Sequence, residues 1–232
     1  AFWRLLRKDH ATMADIFELF RKISGKNDRT AGSVSWLIVG LGNPGEEYRN
    51  TRHNAGFLAV DDLAGRQGLH IDRMRFHALT AEAMFSDVRA LLLKPMTYMN
   101  ASGLAVREAA AFYRISPERV LVLSDDISLS PGRLRVRRQG SAGGHNGLKS
   151  VIEQLGSQEF PRIRLGVGAK PSPDYDLADW VLSAFKPDET AALRSAIGCA
   201  GEGVGLILKG EFDAAVQLCN SHRADGNGGS KP

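Results

Sequence analysis

The sequence predicts a single α/β domain in which a sheet is covered by helices on both faces, and three observations carry that prediction. Short, wholly apolar runs recur along the chain, as they do in strands buried from both sides. Longer segments with apolar residues at helical spacing lie between them. Strand and helix patterns therefore take turns, which is the order of an α/β sheet. The 232 residues suffice for one core of ordinary size, and 43% apolar with 24% charged residues is the composition of a soluble globular protein.

Residues 1–33 stand apart as an N-terminal extension. A short basic lead precedes Ala14 to Ile23, where Ile16, Phe17, Phe20 and Ile23 share one helical face, and a polar linker from Lys26 to Ser33 follows. Met13 offers a start inside this extension, so residues 1–12 read as added or processed sequence. The apolar face is expected to rest on a protein neighbour rather than a membrane. Of the net charge of +4, the extension holds +3. The body is thus nearly neutral, and any nucleic-acid surface on it must be a local patch.

The catalytic body is expected over residues 34–220. Ser35 to Leu41 reads as a buried strand ending in glycines, and Asn54 to Arg66 as a helix. Leu91-Leu92-Leu93 and Val120 to Leu123 read as further buried strands, with a helix from about Ala101 to Tyr113 between them. Arg133 to Arg138 alternates basic and apolar residues like a half-exposed strand. Asn146 to Leu155 reads as helix and Ile163 to Gly168 as strand. After Pro171-Ser172-Pro173 come a short amphipathic piece from Asp179 to Phe185, a long glycine-containing helix from Asp188 to Leu208 and a last helix from Phe212 to Cys219. Residues 221–232 are polar and glycine-rich and read as a disordered tail. Cys199 and Cys219 lack metal spacing and read as reduced, partly buried thiols, with a disulfide left open. No uninterrupted apolar run approaches the ~20 residues of a membrane span, and there is no secretory apolar segment.

Two stretches carry the chemistry. Tyr48-Arg49-Asn50-Thr51-Arg52-His53-Asn54-Ala55-Gly56 and Ser141 to Ser150, with His145-Asn146 at its centre, each set a His-Asn pair beside glycines at a loop opening into a helix. An imidazole that moves protons beside a neutral amide suits proton transfer on a carbonyl. His53 is the leading base, since a helix start favours its neutral form. Asp125, closing the strand that begins at Val120, is its natural orienting partner; Asp125 with Asp126 equally suits a metal site or a solvated turn, although no sequence-local His or Cys completes a metal set. The Gly40-to-Gly45 loop fits the dinucleotide fingerprint poorly, because Pro44 lies inside it and the third glycine comes one residue early. It reads either as a tight turn or as a turn that aims Asn43 at a pocket. Met99 and Asn100 read on their own as a packing residue and an N-cap. No Ser, Cys or Thr lies in a nucleophile motif such as Gly-x-Ser-x-Gly, so water is expected to attack directly.

The two stretches, in this order and about ninety residues apart, resemble the signature segments of bacterial-type peptidyl-tRNA hydrolases. The resemblance covers about residues 35–220 and implies a mixed twisted sheet with a C-terminal helical lid. It implies hydrolysis of the ester joining a peptide to the 3′ end of tRNA, in the cytoplasm, by a monomer without metal or organic cofactor. It further implies catalytic roles for His53, Asp125, Asn43 and Asn146, with Tyr48, Met99, Asn100 and His145 on the substrate. His145 is a second candidate base, expected to orient its neighbours. Ser128 departs from the pattern, where an acid is common.

Contact with tRNA would fall to Arg133, Arg135, Arg137, Arg138, Lys149, Arg162 and Arg164, of which Arg137 and Arg164 match family residues that clamp the tRNA end. Cations that grip phosphate without reading bases suit an enzyme accepting every tRNA. Two rivals remain: an RNA-binding protein that keeps the fold without catalysis, and a nucleotide-binding oxidoreductase. The joint presence of Asn43, His53, Asp125 and Asn146 argues against the first, and the missing ribose-binding acid against the second.

Overall fold

The computed structural model describes residues 33–224; the expected amphipathic segment at 14–23 and all but the start of the polar tail lie outside the described residues. Four strands form the centre of a seven-stranded mixed sheet. These are β1 (Trp36–Gly40), β4 (Val88–Pro95), β5 (Val120–Asp126) and β7 (Arg162–Gly166), all parallel in the order β4-β1-β5-β7. Ile38 pairs with Leu92 on one side and Leu121 on the other, which fixes the register at the middle of the sheet. The edges are antiparallel: β2 (Arg73–Arg75) and β3 (Ala78–Phe85) extend the sheet beyond β4, and β6 (Leu134–Arg137) closes it beyond β7.

The alternation of side chains splits the core in two. Leu37, Val39, Leu91, Leu93, Val120 and Val122 face α2 (Ser102–Tyr113) and α3 (Asn146–Leu155). Ile38, Leu92, Leu121, Leu123, Ile163 and Leu165 face α1 (Ala55–Gly65), α5 (Pro187–Leu208) and α6 (Phe212–Ser221). β1 and the stretches Ala90 to Leu93 of β4 and Val120 to Leu123 of β5 are therefore buried on both faces, which is why those stretches are apolar throughout, whereas β7 alternates Arg162 and Arg164 with Ile163 and Leu165. β6, by contrast, alternates buried Leu134 and Val136 with exposed Arg135 and Arg137, as its sequence pattern requires.

The turn from β1 into α1 depends on two glycines. A Cβ on Gly40 would overlap the Gly56 carbonyl, and one on Gly56 would overlap the Leu123 carbonyl. Their absence lets α1 start directly above the carboxyl ends of β1 and β5, where α/β sheets bind ligands.

Two strands, β2 and β3, have no counterpart in the sequence reading. The C-terminal region also divides differently from the expectation: the short amphipathic piece is a helix, α4 (Leu177–Val181), that starts two residues earlier and ends four residues before Phe185. α5 is, among the described residues, the one helix with the length and hydropathy of a membrane span. Its apolar residues, including Leu193, Ala196, Ala200, Val204 and Ile207, are buried in the core facing α1 and α6. Cys199 and Cys219 are free and buried between α5 and α6, and burial pushes the Cys219 thiol up to about 12.

Candidate active site

A cleft of about 560 Å³ opens above the carboxyl ends of β1 and β5. At its base lies a line of three side chains. His53, in the 3-10 turn Arg52–Asn54 that leads directly into α1, places Nδ1 at 2.9 and 3.0 Å from the two carboxylate oxygens of Asp125. From the other side His145 places Nε2 at 2.9 Å from Asp125 Oδ1. Asp125 sits near the end of β5 and is 4% exposed. Burial alone would push its carboxyl up, but the two imidazoles prevail and hold it well below the usual carboxylate range. It is therefore a carboxylate that only accepts hydrogen bonds.

That fixes both tautomers. His145 is the N-cap of α3, and its Nδ1 accepts the backbone N–H groups of Gly147 and Leu148 at 3.1 and 3.3 Å. With Nδ1 occupied as an acceptor, Nε2 carries the hydrogen donated to Asp125. His145 thus has no free lone pair and cannot act as a base. The same shortage bears on the metal reading. His53, Asp125 and His145 have the mutual spacing of a ligand trio, but His145 Nε2 has no lone pair to give a metal. His53, in turn, donates Nδ1–H to Asp125 and keeps Nε2 as its open acceptor.

The Asn43 loop is positioned by a second pair of contacts. Asn54 accepts the Asn43 backbone N–H at 2.8 Å and donates to the Asn43 carbonyl at 3.0 Å, so the two residues clamp each other. Asn43 Oδ1 accepts the Met99 backbone N–H at 2.8 Å. Its Nδ2 is left as a donor at the cleft, which Asn43 lines. Met99, itself buried, and exposed Asn100 line the same cleft from the turn ahead of α2, and Asn146 lines it as the first residue of α3.

The cleft brings together Asn43, His53, Met99, Asn100, Asp125, His145, Asn146 and Arg164. It does not include Tyr48, whose carbonyl instead accepts the Thr51 hydroxyl at 2.8 Å, nor Arg137, which is exposed on β6. Arg164 Nε lies 3.0 Å from Asp126 Oδ2, a charge contact without hydrogen-bond alignment. The other oxygen of Asp126 accepts both the backbone N–H and the hydroxyl of Ser128, so the departure at that position builds a closed local turn.

Arg162 corrects an expectation. It is 2% exposed, donates to the carbonyls of Ser141 and Gln158 at 3.1 Å, and lies over the Phe160 ring. Burial, with Arg164 nearby, lowers its pKa to about 10. Its role is to hold the loop ahead of His145, and phosphate cannot reach it. The sequence reading missed Asn54 as a clamp, Tyr98 at the rim, and the apolar wall of Leu177, Ala178, Val181 and Leu182. An Asn three residues before a phenylalanine carries no signal of its own; the His-Asn pair that recurs in the two signature stretches was the available clue.

The family model for peptidyl-tRNA hydrolase matches residues 37–227. The chain belongs to the peptidyl-tRNA hydrolase family. Among relatives of that name, one from Symbiobacterium thermophilum is 50% identical over 187 residues, spanning 80% of this chain and 98% of its own. Another, from Caldicellulosiruptor bescii, is 46% identical over 187 residues, spanning 81% and 97%. The crystal structure of peptidyl-tRNA hydrolase from Acinetobacter baumannii superposes with a TM-score of 0.78 at 36% identity, covering 84% of this chain and 99% of that one. The peptidyl-tRNA hydrolase match therefore takes in all of the sheet but Trp36 and every cleft residue named above, and leaves out the N-terminal extension.

Proposed function

We propose that this chain hydrolyses the ester between a peptide, or an N-blocked aminoacyl group, and the ribose at the 3′ end of tRNA, with His53 as the general base. The reading rests on family membership and on one observation: the open Nε2 of His53 faces the cleft while Nδ1 is tied to an ionised, doubly bonded Asp125. Water gives its proton to His53 Nε2 as its oxygen attacks the acyl carbon. The tetrahedral oxyanion takes a hydrogen bond from the Asn43 amide, whose orientation the Met99 N–H has already set. Collapse breaks the bond to the ribose oxygen, which leaves with the proton held on His53. Asn146 holds the attacking water or the terminal ribose, Asn100 holds the peptide backbone, and Met99 with the apolar wall lines the peptide's path. The protein acts in the cytoplasm as a monomer, with no metal or organic cofactor, and returns stalled tRNA to use.

The test is incubation with an N-blocked aminoacyl-tRNA and measurement of the released acyl amino acid. Release is expected from the unmodified protein, and His53→Ala should lower kcat by about 10²- to 10⁴-fold, the usual worth of a positioned base. A folded His53→Ala protein with near-normal turnover would remove His53 from the mechanism.

A further inference from the structure

Arg52, the residue before the base, is 1% exposed, and it is held by a set of partners from one distant part of the chain. Its Nε donates to Ser183 Oγ at 3.1 Å, one terminal nitrogen donates to the Val167 carbonyl at 3.0 Å, and the other to Glu189 Oε2 at 2.7 Å. The guanidinium carbon Cζ lies over the Trp180 ring, 3.8 Å from its centre, and 5.0 Å from the centre of the Phe185 ring. The backbones are joined as well: Arg52 N–H donates to the Ser183 carbonyl at 3.0 Å, and Thr51 bridges Ala184. Trp180 is anchored in turn by its indole N–H to the Gly168 carbonyl at 2.8 Å.

The segment gripped in this way has two sides. Trp180 and Ser183 meet Arg52, whereas Leu177, Ala178, Val181 and Leu182 line the cleft. A charge buried this deeply is costly unless every donor is satisfied, and an apolar side chain of similar size would fill the space at no such cost. What an apolar filler could not supply is direction. Three aimed hydrogen bonds and a cation seated over the Trp180 ring fix the spacing between the turn that carries His53 and the wall opposite it.

We infer that Arg52 is a positioning residue for the hydrolysis, setting the apolar wall of residues 177–182 at a fixed distance from His53. The inference rests on the activity proposed above. Glu189 completes the device, since the same carboxylate oxygen also accepts the Lys186 N–H and so caps α5. Misplacement by about 1 Å is enough to cost on the order of 10²-fold in rate.

The test compares Arg52→Met, the double variant Arg52→Met with Glu189→Met, and Arg52→Lys, on N-blocked aminoacyl-tRNA. Arg52→Met strands the Glu189 carboxylate and should lower Tm. The double variant removes both charges, and its Tm should recover in part, staying below that of the unmodified protein because the cap on α5 is lost with Glu189. Its kcat/KM should nevertheless stay roughly 10- to 100-fold down, with KM raised by at least about threefold because the wall bounds the substrate. A purely structural role predicts something else: a smaller folded fraction lowers the maximal rate and leaves KM unchanged. A double variant that is folded at the assay temperature, with kcat/KM and KM within twofold of the unmodified protein, overturns the inference. Should the double variant fail to fold, Arg52→Lys decides, since it keeps a cation for Glu189 but loses the planar fork. Normal KM in Arg52→Lys then overturns the inference, and a rise of about threefold or more supports it. No hydrolysis by the unmodified protein would instead sink the proposed activity, and this inference with it.

Discussion

Asp125 carries more than its position in the sequence indicated. Its burial and its two imidazole partners act in opposite directions, and the partners win. The folded-state pKa is therefore below the unfolded one, so the ionised carboxylate contributes stability that is fully present above the ordinary carboxylate range and is lost as pH falls below it. Asp125→Asn should accordingly lower Tm at neutral pH, and the gap from the unmodified protein should narrow below about pH 4. A constant Tm gap from pH 7 to pH 3 would mean that the amide disturbs packing rather than charge. In kinetics Asp125→Asn should slow hydrolysis less than His53→Ala, because the base remains but is less well oriented. A larger loss would place Asp125 itself on the substrate. The pairing of His53 with Asp125 was legible from residue types alone, as a base needing an acid at a strand end. The tautomer of His145 was not, since it depends on two backbone N–H groups that exist only once α3 has formed.

The same contrast holds among the elements. Ile163 and Leu165 mark β7 as an alternating strand, and β1 with the apolar stretches of β4 and β5 announces itself because segments buried on both faces must be apolar. β3 does not: Ala78 to Phe85 mixes Ala, Thr and Glu, and the two-residue turns beside it are built from Phe76-His77 and Ser86-Asp87 rather than from glycine. Phe76, His77 and Ser86 all adopt positive φ there, held by the surrounding structure against their own preference. The crossing of α2 and α3 is a similar case, visible only in three dimensions. A Cβ on Gly103 would overlap the Ser150 carbonyl, which is backbone and cannot swing aside. Gly103→Ala is expected to destabilise by about 1–3 kcal/mol through overpacking. Because Asn100 and Asn146 stand at the entrances of these two helices, the variant should also raise KM. Thermal unfolding with steady-state kinetics checks both, and an unchanged Tm would show that the crossing is looser than its geometry.

At the scale of the whole molecule, the extension and the basic face make separate demands. Residues 1–33 lie outside the family match, so their deletion should leave kcat/KM nearly unchanged. Loss of soluble protein on deletion would show instead that Ile16, Phe17 and Phe20 cover a surface the body cannot leave bare. Charge along the sequence did reveal that any tRNA-binding surface must be local, but not which cations are free to bind.

The fold sorts those cations by what already holds them. Arg162 is sealed beneath a loop, Arg138 lies over Phe212 and beside Asp213, and Arg164 faces Asp126 inside the cleft. Arg135 and Arg137 project from β6 on the same side of the sheet as Arg164, since Arg135 pairs with Arg164 in register. Arg137 is exposed and donates one guanidinium N–H to the neighbouring Val136 carbonyl at 3.3 Å, which leaves its other donors for phosphate outside the cleft, whereas Arg164 can meet only what enters it. Arg137→Ala should raise KM for N-blocked aminoacyl-tRNA with little change in kcat. It should also flatten the log-log salt dependence by up to about 0.9 for each phosphate that Arg137 neutralises, or about 0.7 on a single strand. A peptide esterified to adenosine alone lacks the phosphates that Arg137 would grip, and on it the Arg137 variant should match the unmodified protein. Arg164→Ala should be defective on both substrates, because removing it also leaves Asp126 without its cation beside Asp125. If instead both variants behave alike on the short ester, the division of the basic face into an outer grip and an inner cleft cation is wrong.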